Sequence, residues 1–143
     1  MELRRTMLFM PGNNPGMLQT AAVFGSDAVI FDLEDAVALT EKDAARYLIS
    51  EALRTNKYDD VEVVVRVNPL STPFAEKDID VIARLKPDAI LLPKACPEDI
   101  AVLDKKLNEI EKEMGFESRK YKNTPTSRNY LWSRNSIWNY KIK

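Results

Sequence analysis

The chain of 143 residues has no histidine, one cysteine and only four glycines. Without histidine, catalysis cannot use a histidine-based triad or a histidine-ligated metal, so carboxylates, Arg, Lys or a hard cation must supply any chemistry. The lone Cys96 excludes an internal disulfide and fits a reducing, cytoplasmic compartment. No apolar run reaches the roughly 18 residues that a membrane span needs, so a membrane partner is not expected.

Acidic residues are missing from one part of the chain. Up to Glu117 there are 14 Lys and Arg and all 22 Asp and Glu, whereas residues 118–143 carry seven Lys and Arg and no acid. Both Trp and three of the five Tyr also lie in this last stretch. We therefore expect one folded domain over residues 1–117, followed by a tail over residues 118–143 that is out of frame or disordered.

Residues 6–117 alternate between short apolar runs and helix-like stretches. The apolar runs predict strands at 6–10, 27–31, 62–67 and 88–92. Helical spacing predicts helices at 15–24, 41–53, 74–85 and 97–114, with Thr40 as the N-cap of the second. Four β-α units with apolar strands indicate a parallel α/β sheet, either half of an eightfold barrel or a small doubly wound sheet.

Charged residues gather where two predicted strands end, which is the edge of a parallel α/β sheet that carries the chemistry. Asp32, Glu34 and Asp35 follow the second strand, where they could face a common mouth or merely cap the next helix. Arg66 interrupts the third strand, and its guanidinium is suited to a carboxylate or a developing oxyanion. The alternative for Arg66 is a structural ion pair with Asp32 or Glu34.

The other two strand ends are less specific. The turn Pro11–Asn14 offers backbone N–H groups just before a helix, which could cradle an anion or form an ordinary βα turn. Lys94 follows the fourth strand and could neutralise an anion or form a Schiff base. A solvated or ion-paired lysine is the simpler interpretation, and we expect it.

Five segments occur in a distinctive order and spacing: RRTMLFMPGNNPGM, DAVIFDLEDAV, KDAAR, VVVRVNP and PDAILLPKA. Over about residues 3–117 they resemble the HpcH/HpaI aldolase and citrate lyase family. The resemblance implies the N-terminal half of a TIM (β/α)8 barrel, with about four β-α units. It also implies a Mg²⁺-dependent carbon–carbon lyase that cleaves a citryl thioester to oxaloacetate and an acetyl thioester. A malyl- or citramalyl-CoA substrate is the alternative within the same family.

The resemblance assigns roles to the strand-end residues. Arg66 becomes the substrate-binding arginine. The acidic cluster that serves catalysis near the metal and its waters consists of Asp32, Glu34 and Asp35. The same mouth is expected to be lined by Arg5, Pro11, Gly12, Asn13 and Asn14.

The resemblance also implies ligands and partners. The direct Mg²⁺ ligands of the family lie in E-T-x-x-G and G-x-E-D segments that this chain lacks, so Glu34 and Asp35 are left to act through water. The implied partners are an acyl carrier protein (gamma) subunit and a transferase (alpha) subunit, and several copies of the intact protein are expected to assemble. Nucleic acid is not expected as a partner.

The tail allows three interpretations: a basic, aromatic-bearing segment that binds nucleic acid, a solvated extension, or an out-of-frame translation. Read one nucleotide out of frame, KYKNTPTSRNYLWSRNSIWNYK can become NIKILPLVETIYGVEIAYGIIK. That reading restores an apolar strand followed by E-T-I-Y-G, and Arg128 then stands in the place of the metal-binding Glu. We therefore expect a truncated lyase that is inactive alone, with a non-enzymatic binding module as the alternative.

Overall fold

The structure of the protein is a computed structural model, and it describes residues 5–115 and the strand segments 130–134 and 137–138. The first four strands are β1 (Met7–Pro11), β2 (Ala28–Asp32), β3 (Glu62–Arg66) and β4 (Ala89–Pro93). They alternate with helices α1 (Pro15–Thr20), α2 (Lys42–Thr55), α3 (Ala75–Ala83) and α4 (Pro97–Glu113). The four predicted strands and helices are therefore present, with ends that differ by at most two residues except in α1.

Two local predictions are wrong. The segment 15–24 is not one helix, because α1 passes into a 3-10 turn, Ala21–Phe24, that ends at Gly25 with φ 68°. Thr40 does not cap α2, because a second 3-10 turn, Leu39–Glu41, comes first and Glu41 occupies the position before the helix. The amide of Glu41 closes that turn on the Ala38 carbonyl at 2.9 Å.

Strand order follows chain order. Strands β1 to β4 pair in parallel with their sequence neighbours, and no reversal of order occurs among the described strands. A doubly wound sheet has a point where the order reverses, whereas a barrel is built from consecutive neighbours. The order therefore favours the barrel half over the doubly wound alternative.

Part of the tail continues this sheet. Strand β5 (Tyr130–Arg134) pairs in parallel with β4, and β6 (Ile137–Trp138) pairs antiparallel with β5. The out-of-frame reading places its strand before residue 128, whereas β5 begins after that residue. Arg128 itself lies outside the described residues, as do the other positions of 116–129, 135–136 and 139–143.

The two faces of the sheet are covered differently. One face packs against the helices in the main apolar core, which joins Val29 and Val65 to Ile49 and Leu103. The opposite face carries a smaller cluster of Ile30, Val64, Ala89 and Leu91. Because side chains alternate along a strand, the last residues of β2 and β3 continue this second face to its carboxyl edge.

Within the described ranges, no helix is long and apolar enough to cross a bilayer.

Candidate active site at the strand ends

A forked ion pair joins the ends of β2 and β3. Asp32 and Arg66 lie opposite each other in the strand register. Arg66 Nε donates to Asp32 Oδ1 at 2.7 Å, and Nη2 donates to Oδ2 at 2.6 Å. The same two oxygens accept the backbone N–H groups of Glu34 and Ala36 at 2.8 and 2.9 Å. The Asp32 carboxylate, which is fully buried, therefore has four hydrogen bonds.

These bonds determine the charge of Asp32. Burial raises the pKa of the Asp32 carboxyl, but the hydrogen bonds from Arg66, Glu34 and Ala36 outweigh it and hold the pKa below its ordinary value. Asp32 is therefore ionised at neutral pH and cannot act there as a proton donor. Its arrangement makes it the fixed counter-ion that orients Arg66.

The guanidinium of Arg66 still presents polar hydrogens to the mouth of the site, which is the space in front of the carboxyl ends of β2, β3 and β4. Its side chain is 19% exposed, and its Nη1 lies 3.3 Å from Glu34 Oε2. The Phe9 ring lies against it, with 4.8 Å between Cζ and the ring centroid. A guanidinium has five N–H donors, so the pairings with Asp32 and Glu34 leave two for an incoming anion. The sequence predicted both the anion-binding and the structural role for Arg66, and the geometry allows both.

Glu34, Asp35 and Lys94 form the outer part of the mouth. The Glu34 side chain is 5% exposed, and its Oε1 lies 2.9 Å from Lys94 Nζ. Lys94 Nζ lies 3.8 Å from Asp35 Oδ1, which belongs to an exposed side chain. The neighbouring Glu34 carboxylate raises the pKa of Lys94. The expectation of an ion-paired lysine at this strand end is thus confirmed.

Lys42 was missed as a site residue by reasoning from the sequence. Its buried ammonium donates to the carbonyls of Leu33 and Glu34 at 2.6 and 2.5 Å. Burial lowers the pKa of Lys42, and the nearby carboxylates of Asp32 and Asp78 offset that only in part. Lys42 therefore fixes the backbone that carries Glu34 into the mouth. The KDAAR segment held the available signal, because its Lys and Arg share one helix face four residues apart.

The Arg of that segment reaches a second buried carboxylate. Arg46 Nε donates to Asp78 Oδ1 at 2.7 Å, and Asn68 Nδ2 donates to Asp78 Oδ2 at 2.6 Å. Asn68 Nδ2 also donates to the Leu33 carbonyl at 3.0 Å. This network ties α2 and α3 to the ends of β2 and β3. It holds the mouth in shape from the helix side of the sheet.

The Pro11–Asn14 turn lies beside Asp32, and several of its polar groups already have partners. Gly12 N–H donates to the Asp32 carbonyl at 2.9 Å. Asn13 Nδ2 donates to Glu41 Oε2 at 2.6 Å, and Asn14 Oδ1 accepts from Met17 N–H as the N-cap of α1. The turn therefore acts first as a structural joint, which limits its use as an anion cradle.

Arg5 lies at the other edge of the sheet, contrary to the expectation that it lines the same mouth. It precedes β1, and its backbone amide donates to Asp27 Oδ2 at 2.8 Å, while its Nη2 lies 3.2 Å from Asp27 Oδ1. Asp27 precedes β2 and is bonded also by Thr6, so this cluster sits where the strands begin. Five-residue strands separate it from Arg66 by about 15 Å.

The described residues of the mouth supply only some of the ligands that a magnesium ion needs. Glu34 and Asp35 supply hard oxygen atoms, which Mg²⁺ prefers. The Asp32 oxygens are taken by Arg66 and two amides. No group of three or more candidate metal ligands occurs in the part of the chain that the structure describes. These residues fit contacts to the water shell of a metal ion and not a complete direct ligand set.

A consecutive parallel β/α sheet with an arginine and carboxylates at the carboxyl ends of its strands is the arrangement of barrel enzymes. The comparisons specify the class. Residues 5–129 match the model of the HpcH/HpaI aldolase/citrate lyase family, and the chain belongs to that family.

The relatives agree with this assignment. The chain is 51% identical over 116 residues to citrate lyase subunit beta from Leuconostoc mesenteroides subsp. cremoris, covering 79% of this chain and 38% of that protein. It is 43% identical over 90 residues to a (3S)-malyl-CoA thioesterase from Cereibacter sphaeroides, covering 63% of this chain and 32% of that protein. The chain thus spans well under half the length of these relatives.

A solved structure shows the same fold. The citrate lyase beta subunit from Mycobacterium tuberculosis, complexed with oxaloacetate and magnesium, matches with a TM-score of 0.58 and 32% identity. The match covers 68% of this chain and 42% of that chain. By family, this protein is therefore related to lyases that have been crystallised with magnesium.

Proposed function

We propose that this chain corresponds to the N-terminal part of a Mg²⁺-dependent carbon–carbon lyase of the citrate lyase beta type. Its reaction would cleave a citryl thioester on an acyl carrier protein to oxaloacetate and an acetyl thioester. The observation that carries the proposal is the Asp32–Arg66 fork at the strand ends, in a chain 51% identical to a citrate lyase subunit beta. A partly exposed arginine that is held by a buried carboxylate suits the carboxylate-rich substrate.

Arg66 is the residue that would hold the keto-acid half of the substrate. Its N–H groups not used by Asp32 would bind a carboxylate and share the negative charge that develops on the leaving keto acid. Because Asp32 already fixes the guanidinium, little reorganisation is needed during the reaction. A bound Mg²⁺ would supply Lewis-acid polarisation of substrate oxygens, and Glu34 and Asp35 would hold its water shell.

Partners and compartment follow from the same proposal. The acyl thioester would be presented by an acyl carrier (gamma) subunit and formed by a transferase (alpha) subunit, with several copies of the intact beta-type protein in the assembly. These proteins would work in the cytoplasm. The 143-residue chain is proposed to be inactive alone, because its sequence lacks the E-T-x-x-G and G-x-E-D segments in which the resemblance places the direct Mg²⁺ ligands.

We propose further that residues 118–143 are an out-of-frame translation of the same gene. The support is the loss of acidic residues after Glu117 and the E-T-I-Y-G motif in the alternative frame. Resequencing the gene across this region and beyond tests it. A downstream frame that continues with a G-x-E-D segment is expected, and an unbroken frame without barrel sequence would favour a binding module that uses the basic tail.

The second candidate substrate is a malyl- or citramalyl-CoA thioester. It is favoured by the 43% identity to a (3S)-malyl-CoA thioesterase over 90 residues. On this proposal the described residues would bind the keto-acid part of the substrate, and a keto-acid part is common to both kinds of substrate. The two candidates differ in the acyl group as well as in the thioester carrier, so they must be separated by assay.

A chimera tests the proposal. Residues 1–117 of this chain are joined to the remaining part of the Leuconostoc relative, and cleavage of citryl-acyl carrier protein is compared with cleavage of malyl-CoA. We expect cleavage of the citryl thioester that EDTA abolishes, and none by the 143-residue chain alone. A folded chimera that cleaves only malyl-CoA would select the second candidate, and activity of the chain alone would refute the proposed inactivity.

A further inference from the structure

One peptide group at the end of β2 is held from both sides. It consists of the Leu33 carbonyl and the Glu34 N–H, which lie in one plane. The N–H donates to Asp32 Oδ1 at 2.8 Å, the same oxygen that accepts from Arg66 Nε at 2.7 Å. The carbonyl accepts from Asn68 Nδ2 at 3.0 Å. A side chain that fixes this carbonyl therefore also fixes a hydrogen bond to the carboxylate that orients Arg66.

The Asn68 amide can hold this carbonyl in only one orientation. Asn68 is buried, and its Nδ2 donates both to the Leu33 carbonyl and to Asp78 Oδ2, the latter at 2.6 Å. Both partners are acceptors, and the NH2 end of the amide has one hydrogen for each of them. The reversed amide would place Oδ1 against two acceptor oxygens. The Asp78 carboxylate therefore determines which end of the Asn68 amide faces Leu33.

Asp78 acts from α3, on the helix side of the sheet. It is fully buried, its Oδ2 also accepts the backbone N–H of Asn68 at 3.1 Å, and its Oδ1 accepts from Arg46 Nε at 2.7 Å. Lys42 is a second donor to the Leu33 carbonyl, but it lies on α2 and is shared with the next carbonyl. Asn68 is therefore the side chain that connects α3 with this peptide.

We propose that Asn68 is a positioning residue for the cleavage reaction. Its amide, oriented from α3, fixes the peptide between Leu33 and Glu34 and thereby holds Asp32 and Arg66 in the arrangement that receives the substrate. Asn68 is 3% exposed, so it acts through this peptide and not by touching the substrate. The role in cleavage rests on the proposed function, whereas the hold on the peptide does not.

The first test measures amide hydrogen exchange in the full chain by nuclear magnetic resonance. In Asn68→Ala, the Glu34 N–H should exchange about fivefold faster relative to the Ile30 N–H in β2, because its peptide loses one hydrogen bond. A general loss of stability would speed both amides and leave their ratio unchanged. The matched control is Asn56→Ala, which should also leave the ratio unchanged, since Asn56 Nδ2 donates to the Tyr58 hydroxyl just beyond the end of α2.

The second test measures inhibition of the chimera by oxaloacetate. An inhibition constant does not depend on how much of the protein is folded. Asn68→Ala should raise it by about tenfold, the effect of one hydrogen bond lost from a charged network that holds Arg66. Asp78→Asn should act in the same direction, because it places an N–H group where Asn68 needs an acceptor. Asp43→Asn, which removes the other carboxylate partner of Arg46, should leave the constant unchanged.

The two tests separate the proposal from the lyase assignment. A Glu34 exchange rate that changes only in step with that of Ile30, or an unchanged inhibition constant in a folded Asn68→Ala chimera, would overturn the proposal. Circular dichroism establishes that each variant is folded, and Asp78→Asn enters both tests, so the decision does not depend on one variant. A parent chimera without cleavage would refute the lyase assignment, and the exchange measurement would still decide whether Asn68 fixes the peptide.

Discussion

At the scale of single residues, the carboxylate of Asp32 and the guanidinium of Arg66 dominate the site. Asp32 is fully buried and Arg66 mostly so, and each satisfies the other through two short hydrogen bonds. An Arg inside one apolar run and acids after another suggested an ion pair of Arg66 with Asp32 or Glu34 as an alternative, without selecting between the two acids. That Asp32 would also accept two backbone amides could not be read from the sequence, because it depends on how the chain turns after β2.

Replacing Arg66 by Met should lower the free energy of unfolding by about 3 kcal/mol, because the buried Asp32 loses its counter-ion. Arg54→Met is the matched control. Arg54 pairs with Glu51 on the surface of α2, where both side chains are exposed, and its loss should cost under about 1 kcal/mol. Urea unfolding of the two variants measures the difference, and equal losses would contradict the role given to the fork.

The lowered pKa of Asp27 predicts how the stability of the fold changes at acid pH. Hydrogen bonds from the amides of Arg5 and Thr6 lower the pKa of Asp27 from 3.8 to about 2. A carboxyl group whose pKa is depressed on folding stabilises the fold above its unfolded pKa, and this stabilisation is lost as pH falls. The parent chain should therefore lose stability between about pH 4 and pH 2 more steeply than Asp27→Asn. Thermal melts across that range compare them, and parallel curves would show that Asp27 does not contribute.

At the scale of elements, the strands were predictable because each contains a short apolar run, which in the predicted β3 is interrupted by Arg66, and because these runs have nearly the lengths that the structure gives the strands. The residues at which the helices begin were less predictable. Thr40 has the right chemistry for a cap, but the backbone forms a 3-10 turn there instead. The bonds from Lys42 to the β2 end lay equally beyond prediction, since they join residues whose proximity depends on the packing of α2 against the sheet.

The β1–α1 turn requires glycine at position 12. A Cβ atom at Gly12 would lie 2.7 Å from the Asp32 carbonyl oxygen, which is backbone and cannot move aside cheaply. Gly12→Ala should therefore destabilise the fold by about 1–3 kcal/mol. Gly16→Ala is the control, because its nearest neighbour would be 3.5 Å away and alanine favours the helix. The melting temperature should fall for Gly12→Ala and stay the same or rise for Gly16→Ala. The reverse order would refute the close approach of Gly12 to the Asp32 carbonyl.

The bond from α2 to the end of β2 is testable in the same way. Lys42→Met removes the donor for two buried carbonyl oxygens and should cost about 1–3 kcal/mol. Lys57→Met, at an exposed position after the same helix, should change stability by less than about 0.5 kcal/mol. Denaturant titration of both variants measures the change in the free energy of unfolding. If Lys42→Met leaves that free energy unchanged, water can replace the ammonium group.

At the scale of the whole molecule, the order of the strands carries the functional argument. Consecutive parallel strands bring the ends of β1, β2, β3 and β4 to one edge. The residues that the resemblance names lie there, except Arg5, and Lys42 and Lys94 lie there as well. The parallel α/β sheet could be predicted because β-α units repeat along the chain, whereas the choice of a barrel half over a doubly wound sheet came from the resemblance. The position of Arg5 was also within reach of the sequence, because Arg5 precedes the first predicted strand at 6–10, and a residue before a strand lies at the opposite edge from a residue after it.

The central claim is that Arg66, held by Asp32, binds the keto-acid part of the substrate. The most direct test is kcat/KM for citryl thioester cleavage by the chimera, with Arg66→Lys compared with Arg54→Lys. Lysine keeps the charge but cannot form the fork, so a loss of about 100-fold or more is expected for Arg66→Lys and no change for Arg54→Lys. A folded Arg66→Lys chimera with undiminished kcat/KM would contradict the account.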